Sequence, residues 1–310
     1  MTETPLKSFL STAARGFLMG AADVVPGVSG GTMAVVLGIY QRLINAIGAV
    51  DARFVRHLLR AQLKSAAEHA DLRFLLALGI GIFAALMFFT RVVPLPTLIK
   101  THPEPVYSLF FGLVTASIVI LLKSLRGFGG ADALTLILGV GVGFGLVNLV
   151  PTATPETAWF IFLSGALAIC AMILPGISGS FILLILQKYT YIFAAVGRLD
   201  LAVLLPFALG AATGLLLFSR VLAFLLRSFY RLTVNVIVGL LIGSLWVIWP
   251  FQIRVELVID GTTRLLRNTP FLPHALSADV LSSIALAGIG VVTVLALHRT
   301  ASARGLPDHV

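Results

Sequence analysis

Pro26-Gly27-Val28-Ser29-Gly30-Gly31 interrupts an apolar stretch that runs from Phe9 to Gly48, and Pro175-Gly176-Ile177-Ser178-Gly179-Ser180 repeats it 149 positions later. Neither flanking run, Phe9 to Val25 or Thr32 to Gly48, comfortably reaches the ~20 apolar residues that a spanning helix needs. Proline removes a helix donor and glycine adopts backbone that other residues resist, so each stretch ends one half-helix and begins another. The same offset carries Leu37 onto Leu186, Tyr40 onto Tyr189, Ala46 onto Ala195 and Gly48 onto Gly197. Farther along, Gly81 and Phe89-Thr90-Arg91-Val92 correspond to Gly210 and Phe218-Ser219-Arg220-Val221. A match of this extent points to one unit duplicated.

Hydrophobic residues make up 58% of the 310-residue chain and charged residues 11%, against about 25% charged in a typical soluble domain. Mean hydropathy is +1.03, which excludes an ordinary soluble domain. The apolar runs are of helix length and rich in Leu, Ala, Gly and Val, without the ~10-residue alternation of an outer-membrane barrel, so the fold class is an all-α polytopic membrane protein. A net charge of +9 does not point to nucleic acid, because the basic residues sit in short segments between apolar runs, where they orient the chain and meet anionic headgroups. Cys170 is the single cysteine and lies in an apolar run, which excludes a disulfide framework and a thiolate metal site. No metal and no cofactor are expected. Lys7 ahead of an apolar stretch, with Gly20-Ala21-Ala22 after it, loosely resembles a signal peptide. Cleavage there would discard half of a duplicated element, so the segment is read as retained.

The first repeat, 1–154, holds a broken hairpin over 9–48, a polar and basic segment over 49–73 whose spacing suggests a surface helix at the lipid interface, and spans near 74–93, 105–123 and 132–150. The second, 155–310, holds a broken hairpin over 157–197, spans near 202–225, 232–250 and 280–298, and a polar extramembrane loop over 251–279. A re-entrant hairpin crosses the membrane zero times and a fully spanning one twice, so each half makes an odd number of crossings. The halves are then expected to insert in opposite orientations, as inverted-topology repeats. Charge agrees with this. Lys7, the 49–73 segment, Lys123 with Arg126, Arg227 with Arg231, and Arg299 with Arg304 all fall on one side, which the positive-inside rule makes the cytoplasm. Both termini are expected there.

Backbone interrupted at membrane depth must be buried in protein or line a polar cavity, since unpaired groups facing lipid cost several kcal/mol each. That constraint makes the breaks, Pro26, Gly27, Pro175 and Gly176, the place to look for a site. Ser29 and Ser178 are placed to cap the half-helices that follow. The N–H groups of Gly30, Gly31 and Thr32, and of Gly179, Ser180 and Phe181, are then expected to be free for an anion, with help from the helix dipole. The plainer alternative is that Gly and Ser only permit tight helix crossing. Arg91 and Arg220 are repeat mates near span ends. Snorkelling is the ordinary explanation, but retention in both copies after Phe-Thr/Ser favours a phosphate contact. Asp23, whose repeat mate is Met172, is the carboxylate of the first broken element, a candidate for coupling to H⁺ or Na⁺ or else a structural partner of nearby N–H groups. Lys188 and Arg42 lie in the returning half-helices and either line the same cavity or anchor helix ends; Lys188 is counted with the phosphate contacts.

The run Gly16-Phe17-Leu18-Met19-Gly20-Ala21-Ala22-Asp23-Val24-Val25-Pro26-Gly27-Val28-Ser29-Gly30-Gly31-Thr32, with the second Pro-Gly-Ile-Ser-Gly-Ser, resembles a bacterial and archaeal integral-membrane family. That family was long catalogued as a domain of unknown function and is now associated with polyprenyl-phosphate translocation of the PopT type. The resemblance covers nearly the whole chain. It implies a polyprenyl-phosphate lipid as partner and the recycling of undecaprenyl phosphate, the carrier of cell-envelope synthesis, from the outer to the inner leaflet of the bacterial cytoplasmic membrane. It leaves the oligomeric state open, a homodimer included. Pro-Gly-x-Ser also resembles a motif of undecaprenyl-pyrophosphate phosphatases, where Arg follows the serine and an intramembrane Glu-x-x-x-Glu accompanies it. Here Gly30 and Gly179 follow the serines and no Glu-x-x-x-Glu occurs, so an enzyme is disfavoured and no residue is assigned as catalytic. An ion or small-anion channel predicts a wet pore but gives no reason for repeated anion-binding helix ends.

Overall fold

The computed structural model describes residues 5–25, 28–93, 98, 101–125, 128–259, 262–273 and 275–303. Pro26 and Gly27 of the first break, and Arg126 and Arg304 of the basic clusters, lie outside the described residues. The first half comprises α1 (Pro5–Asp23), α2 (Gly30–Val36), α3 (Tyr40–Gly48), α4 (Ala52–Leu59), α5 (Leu63–His69), α6 (Leu72–Arg91), α7 (Pro103–Ser124) and α8 (Gly130–Val147). The second comprises α9 (Ala158–Ile173), α10 (Gly179–Ile185), α11 (Tyr189–Arg198), α12 (Leu201–Ser228), α13 (Tyr230–Ile248), a hairpin of β1 (Gln252–Ile259) and β2 (Thr262–Pro270), and α14 (Ala278–Ala303). Among the described residues, α6, α7, α8, α12, α13 and α14 are long and apolar enough to cross a membrane, and the pair α10–α11, bent by 106°, passes together as a broken span or re-entrant loop. The chain is a helical, multi-pass membrane protein.

Three local expectations change. The returning half-helix of each hairpin is itself broken, α2 from α3 and α10 from α11. Both α2 and α10 end in a Schellman closure: Gly38 and Ile39 donate to Val35 and Ala34, and Gln187 and Lys188 to Leu184 and Leu183. The turn needs a left-handed residue, supplied by Gly38 (φ +65°) in one copy and by Gln187 (φ 53°) in the other. Segment 49–73 forms two short helices rather than one. Asp51 caps α4 by accepting from Arg53 N and Phe54 N at 2.8 and 3.0 Å, and Ala61, left-handed at φ 55°, turns the chain into α5. The loop 251–279 contains an antiparallel hairpin with an irregularity at Val255/Glu256. Its β-branched alternation around Asp260-Gly261, a hairpin-turn dipeptide, was the signal for it.

α7 and α13 form the buried centre and pack on each other, with Val114, Ile118, Val234, Ile237, Val238 and Leu241 among their buried side chains. α8, α12 and α14 lie outside them and expose Leu134, Ile137, Leu209, Phe224, Ile284 and Val292, the apolar cladding that lipid requires. In each half the first helix packs on the span that follows the broken segment, α1 on α6 and α9 on α12. The last two spans pair across the halves, α7 with α14 and α8 with α13. Glycine makes these pairings close: a Cβ on Gly81 would collide with the Ala13 carbonyl of α1, whereas one on Gly79, two residues away, would meet nothing.

Gly81→Ala is therefore expected to lower the melting temperature of the purified protein, by an overpacking cost of about 1–3 kcal/mol. Gly79→Ala should leave it unchanged or raise it, and equal effects would contradict the packing described.

Candidate functional site

The two breaks meet. Thr32, at 2% exposure, accepts a hydrogen bond from Gly176 N at 2.8 Å. Ser29, at 1%, donates to the Met172 carbonyl at 3.2 Å, and the Tyr40 hydroxyl donates to the Ile173 carbonyl at 3.2 Å. Those carbonyls belong to the last turn of α9, where a helix has no internal donors left. Gly31 lies against them so closely that a Cβ there would stand 2.6 Å from the Ile173 oxygen. The side chains of the first break thus close the open end of the helix that precedes the second.

Within the first break Ser29 is the N-cap of α2, accepting from Gly31 N at 3.1 Å. The Gly30 N–H donates to Asp23 Oδ1 at 2.7 Å, and a Cβ on Gly30 would strike the same carboxylate. Gly30 and Gly31 are consequently not the free donors that the motif suggested: a protein carboxylate and a hydroxyl already hold them. Asp23 is partly buried and occupies the place of an anion at the helix start, as the structural alternative for it required.

The second break differs. Ser178 makes no side-chain cap; its hydroxyl pairs with that of exposed Ser180 at 2.8 Å. Phe181 N is taken by the Ser178 carbonyl at 3.1 Å, so it is not a free donor either. Gly179 is buried against the Ala168 carbonyl of α9. No acid corresponds to Asp23, since Met172 stands in its place.

The four candidate cations separate. Arg220 is exposed and reaches α3, donating from Nη2 to the Val50 carbonyl at 2.6 Å and from Nε to that of Gly48 at 3.4 Å. It closes the C-terminus of α3 instead of approaching a break. Arg91 ends α6 and is exposed. Lys188, at 2% exposure, donates to the Thr154 carbonyl at 2.7 Å and lies 5.6 Å from the Tyr191 ring centroid; it anchors the connector between the halves to the start of α11. Arg42 pairs with Asp71 at 2.7 Å and stacks 4.3 Å over Phe74. It lines an open cavity of about 390 Å³ with Gln41, Asn45 and His69, and that cavity includes no residue of either break. Beside it His69 meets Asp51 at 3.0 Å. The backbone N–H of Phe54 is the main reason that the Asp51 carboxyl sits below its ordinary pKa.

A further polar cluster went unnoticed in the sequence. Asp132, at 5% exposure, starts α8, accepts Gly129 N at 2.8 Å, receives Arg231 from α13 in a two-point pair at 2.7 and 2.5 Å, and accepts Asn235 Nδ2 at 2.8 Å. Arg231 had been counted only as a topology charge. The signal that would have found the pair is an acid and an arginine each opening a span.

Comparison with known proteins places these residues in context. The family described as VCA0040-like, undecaprenyl phosphate translocase-like, matches residues 19–265, which include both breaks. A polyprenyl-phosphate transporter of Vibrio cholerae is 40% identical over 245 residues, covering 79% of this chain and 79% of that protein. A polyprenyl-phosphate transporter of Staphylococcus aureus is 29% identical over 254 residues, 76% of this chain and 84% of its own. No solved structure matches the chain.

The contact between the breaks predicts that Thr32→Val, which strands the buried Gly176 N–H, destabilises the protein by about 1–3 kcal/mol while Thr32→Ser does not. Thermal unfolding of the two variants in the same detergent checks this, and equal melting temperatures would contradict the bond.

Proposed function

The chain belongs to the undecaprenyl phosphate translocase-like family, and from that premise we propose that it moves a polyprenyl phosphate, undecaprenyl phosphate foremost, across the bacterial cytoplasmic membrane, with both termini in the cytoplasm. The observation that carries this is the 40% identity, spread over most of both chains, to a protein named polyprenyl-phosphate transporter. The headgroup crosses where the two breaks meet and the polyprenyl tail stays in lipid. Phosphate lies against Ser178 and Ser180, whose hydroxyls are the accessible donors of the paired breaks, and Arg91 receives it at the membrane edge.

Asp23 is the competitor. Ionised, it holds the Gly30 N–H tightly and repels a phosphate nearby; protonated, it holds that N–H more weakly and loses the repulsion, so headgroup occupancy and protonation are linked through like-charge repulsion. Coupling of this kind answers an energetic need, because moving an anion inward against an inside-negative potential costs up to ~2.3 kcal/mol per charge per 100 mV. The halves are read as inverted. The support is the direction of α13: Cβ atoms tilt toward a helix N-terminus, and a Cβ on Gly139 meets Val236 while one on Gly239 meets Leu136. Each thus points three residues back along its partner, as in helices running the same way. α8 follows α7 after a connector of only a few residues and is read as returning against it, which would set α13 against its own repeat mate.

No hydrolysis is assigned, since neither an arginine after the serines nor a Glu-x-x-x-Glu is present. Purified protein should release no inorganic phosphate from undecaprenyl pyrophosphate; release would favour the phosphatase reading. In proteoliposomes the wild type should flip undecaprenyl phosphate with a pH-dependent rate. Asp23→Asn should flatten that dependence, and a mutant with the wild-type rate and unchanged pH profile would return Asp23 to a purely structural role.

A further inference from the structure

The helix pairs α8/α13 and α7/α14 share one geometry. In the first, Gly139 and Gly239 face each other and point at Val236 and Leu136; in the second, Gly112 and Gly290 face each other and point at Ala287 and Leu109. Matching Gly239 to Gly112 and Gly139 to Gly290 by sequence offset relates the Asp132 cluster of one pair to positions in the other. Asn235, four residues before its glycine, falls on Ser108. Arg231, eight before, falls on Glu104. Asp132, seven before Gly139, falls on Ser283.

The chemistry at the two places is reversed. In α8/α13 a fixed guanidinium sits on a carboxylate. In α7/α14 the position of the arginine carries a carboxylate, and the positions of Asp132 and Asn235 carry hydroxyls. Ser108 and Ser283 are each 1% exposed, and neither oxygen has a hydrogen-bond partner. Helix serines ordinarily bond back to a carbonyl one turn earlier, as Ser117 does to Leu113 at 2.7 Å and Ser244 to Leu241 at 2.8 Å. α14 packs along α7, and Ser283, Gly290 and Val294 form its buried stripe, so the Ser283 oxygen is enclosed between these two helices. Thr115, on the same face of α7 as Ser108, adds another buried hydroxyl without a partner.

We infer that Glu104, Ser108 and Ser283 form a binding site for a small monovalent cation, sodium, between α7 and α14. The donors are all oxygen, which suits a hard ion. The single carboxylate balances one positive charge, whereas a divalent ion would leave net charge in an apolar setting. What Arg231 does permanently for Asp132, a diffusible ion does for Glu104. The inference builds on the proposed transport and its orientation: Glu104 opens α7 at the end opposite Lys123, hence on the external face, where sodium entering down its gradient would be taken up with the inward-moving lipid.

Binding of radioactive sodium to the full-length protein in nanodiscs, without polyprenyl phosphate, tests the site. The wild type should bind saturably, and Ser108→Ala/Ser283→Ala and Glu104→Gln should each weaken binding by about tenfold or more, the scale of losing a charged-group contact. Ser283→Thr, which keeps the oxygen, should retain binding, and the double alanine variant should melt no lower than wild type because it removes two unpartnered hydroxyls. Absence of saturable binding, equal binding by the double alanine variant, or loss of binding in Ser283→Thr would each overturn the site. Sodium-independent flipping by the wild type would overturn it too and leave the transport reading standing; sodium binding without flipping would do the reverse.

Discussion

Backbone polar groups cannot be left unpaired in a hydrocarbon surrounding, and two interrupted helices in one small membrane protein create many of them. Here each interruption relies on the other. The carbonyls of Met172 and Ile173 receive hydroxyls from Ser29 and Tyr40, and the Gly176 N–H finds Thr32. Each of these bonds runs from one half to the other. The halves are therefore held together where their hairpin helices are interrupted, and any movement of one against the other must exchange these bonds for others.

The breaks resemble each other in sequence and differ in state. The first contains its own carboxyl group, Asp23, hydrogen-bonded at the start of α2. The second has only hydroxyls, and one of them is exposed. Two breaks alike in sequence and unlike in charge suit the alternation proposed above, in which a headgroup would meet a competitor at one and hydroxyls at the other. The same divergence recurs in the central helices, where Arg231 of α13 and Glu104 of α7 hold matching positions with opposite charge. Glycine-lined crossings let these pairs approach closely enough for such substitutions to matter.

Much of the architecture was legible in the chain. Spans expected near 74–93, 105–123 and 232–250 appear as Leu72–Arg91, Pro103–Ser124 and Tyr230–Ile248, because apolar length is a local property and the membrane makes it decisive. The repeated Pro-Gly-x-Ser-Gly marked the breaks for the same reason. What escaped was non-local or depended on fine backbone geometry. The second kink at Gly38 and Gln187 is a left-handed closure that a glutamine can also adopt, so one copy carried no glycine signal. The fates of Arg220 and Lys188 depended on carbonyls 170 and 34 residues away along the chain. The donors of Gly30 and Gly31 are taken by Asp23, seven residues back across the break, and by the Ser29 hydroxyl, and neither contact follows from the motif's spacing alone.

The account stands on the headgroup passing between the paired breaks, and photo-crosslinking tests that most directly. An undecaprenyl phosphate analogue carrying a diazirine next to its phosphate would be bound to the reconstituted protein, irradiated, and its adducts mapped by mass spectrometry. The account predicts label on the peptides that hold Ser178 and Ser180 and on those around Ser29, competed away by unlabelled undecaprenyl phosphate. Label confined to Gln41, Arg42 and Asn45 of the separate cavity beside α3, with none at either break, would contradict it.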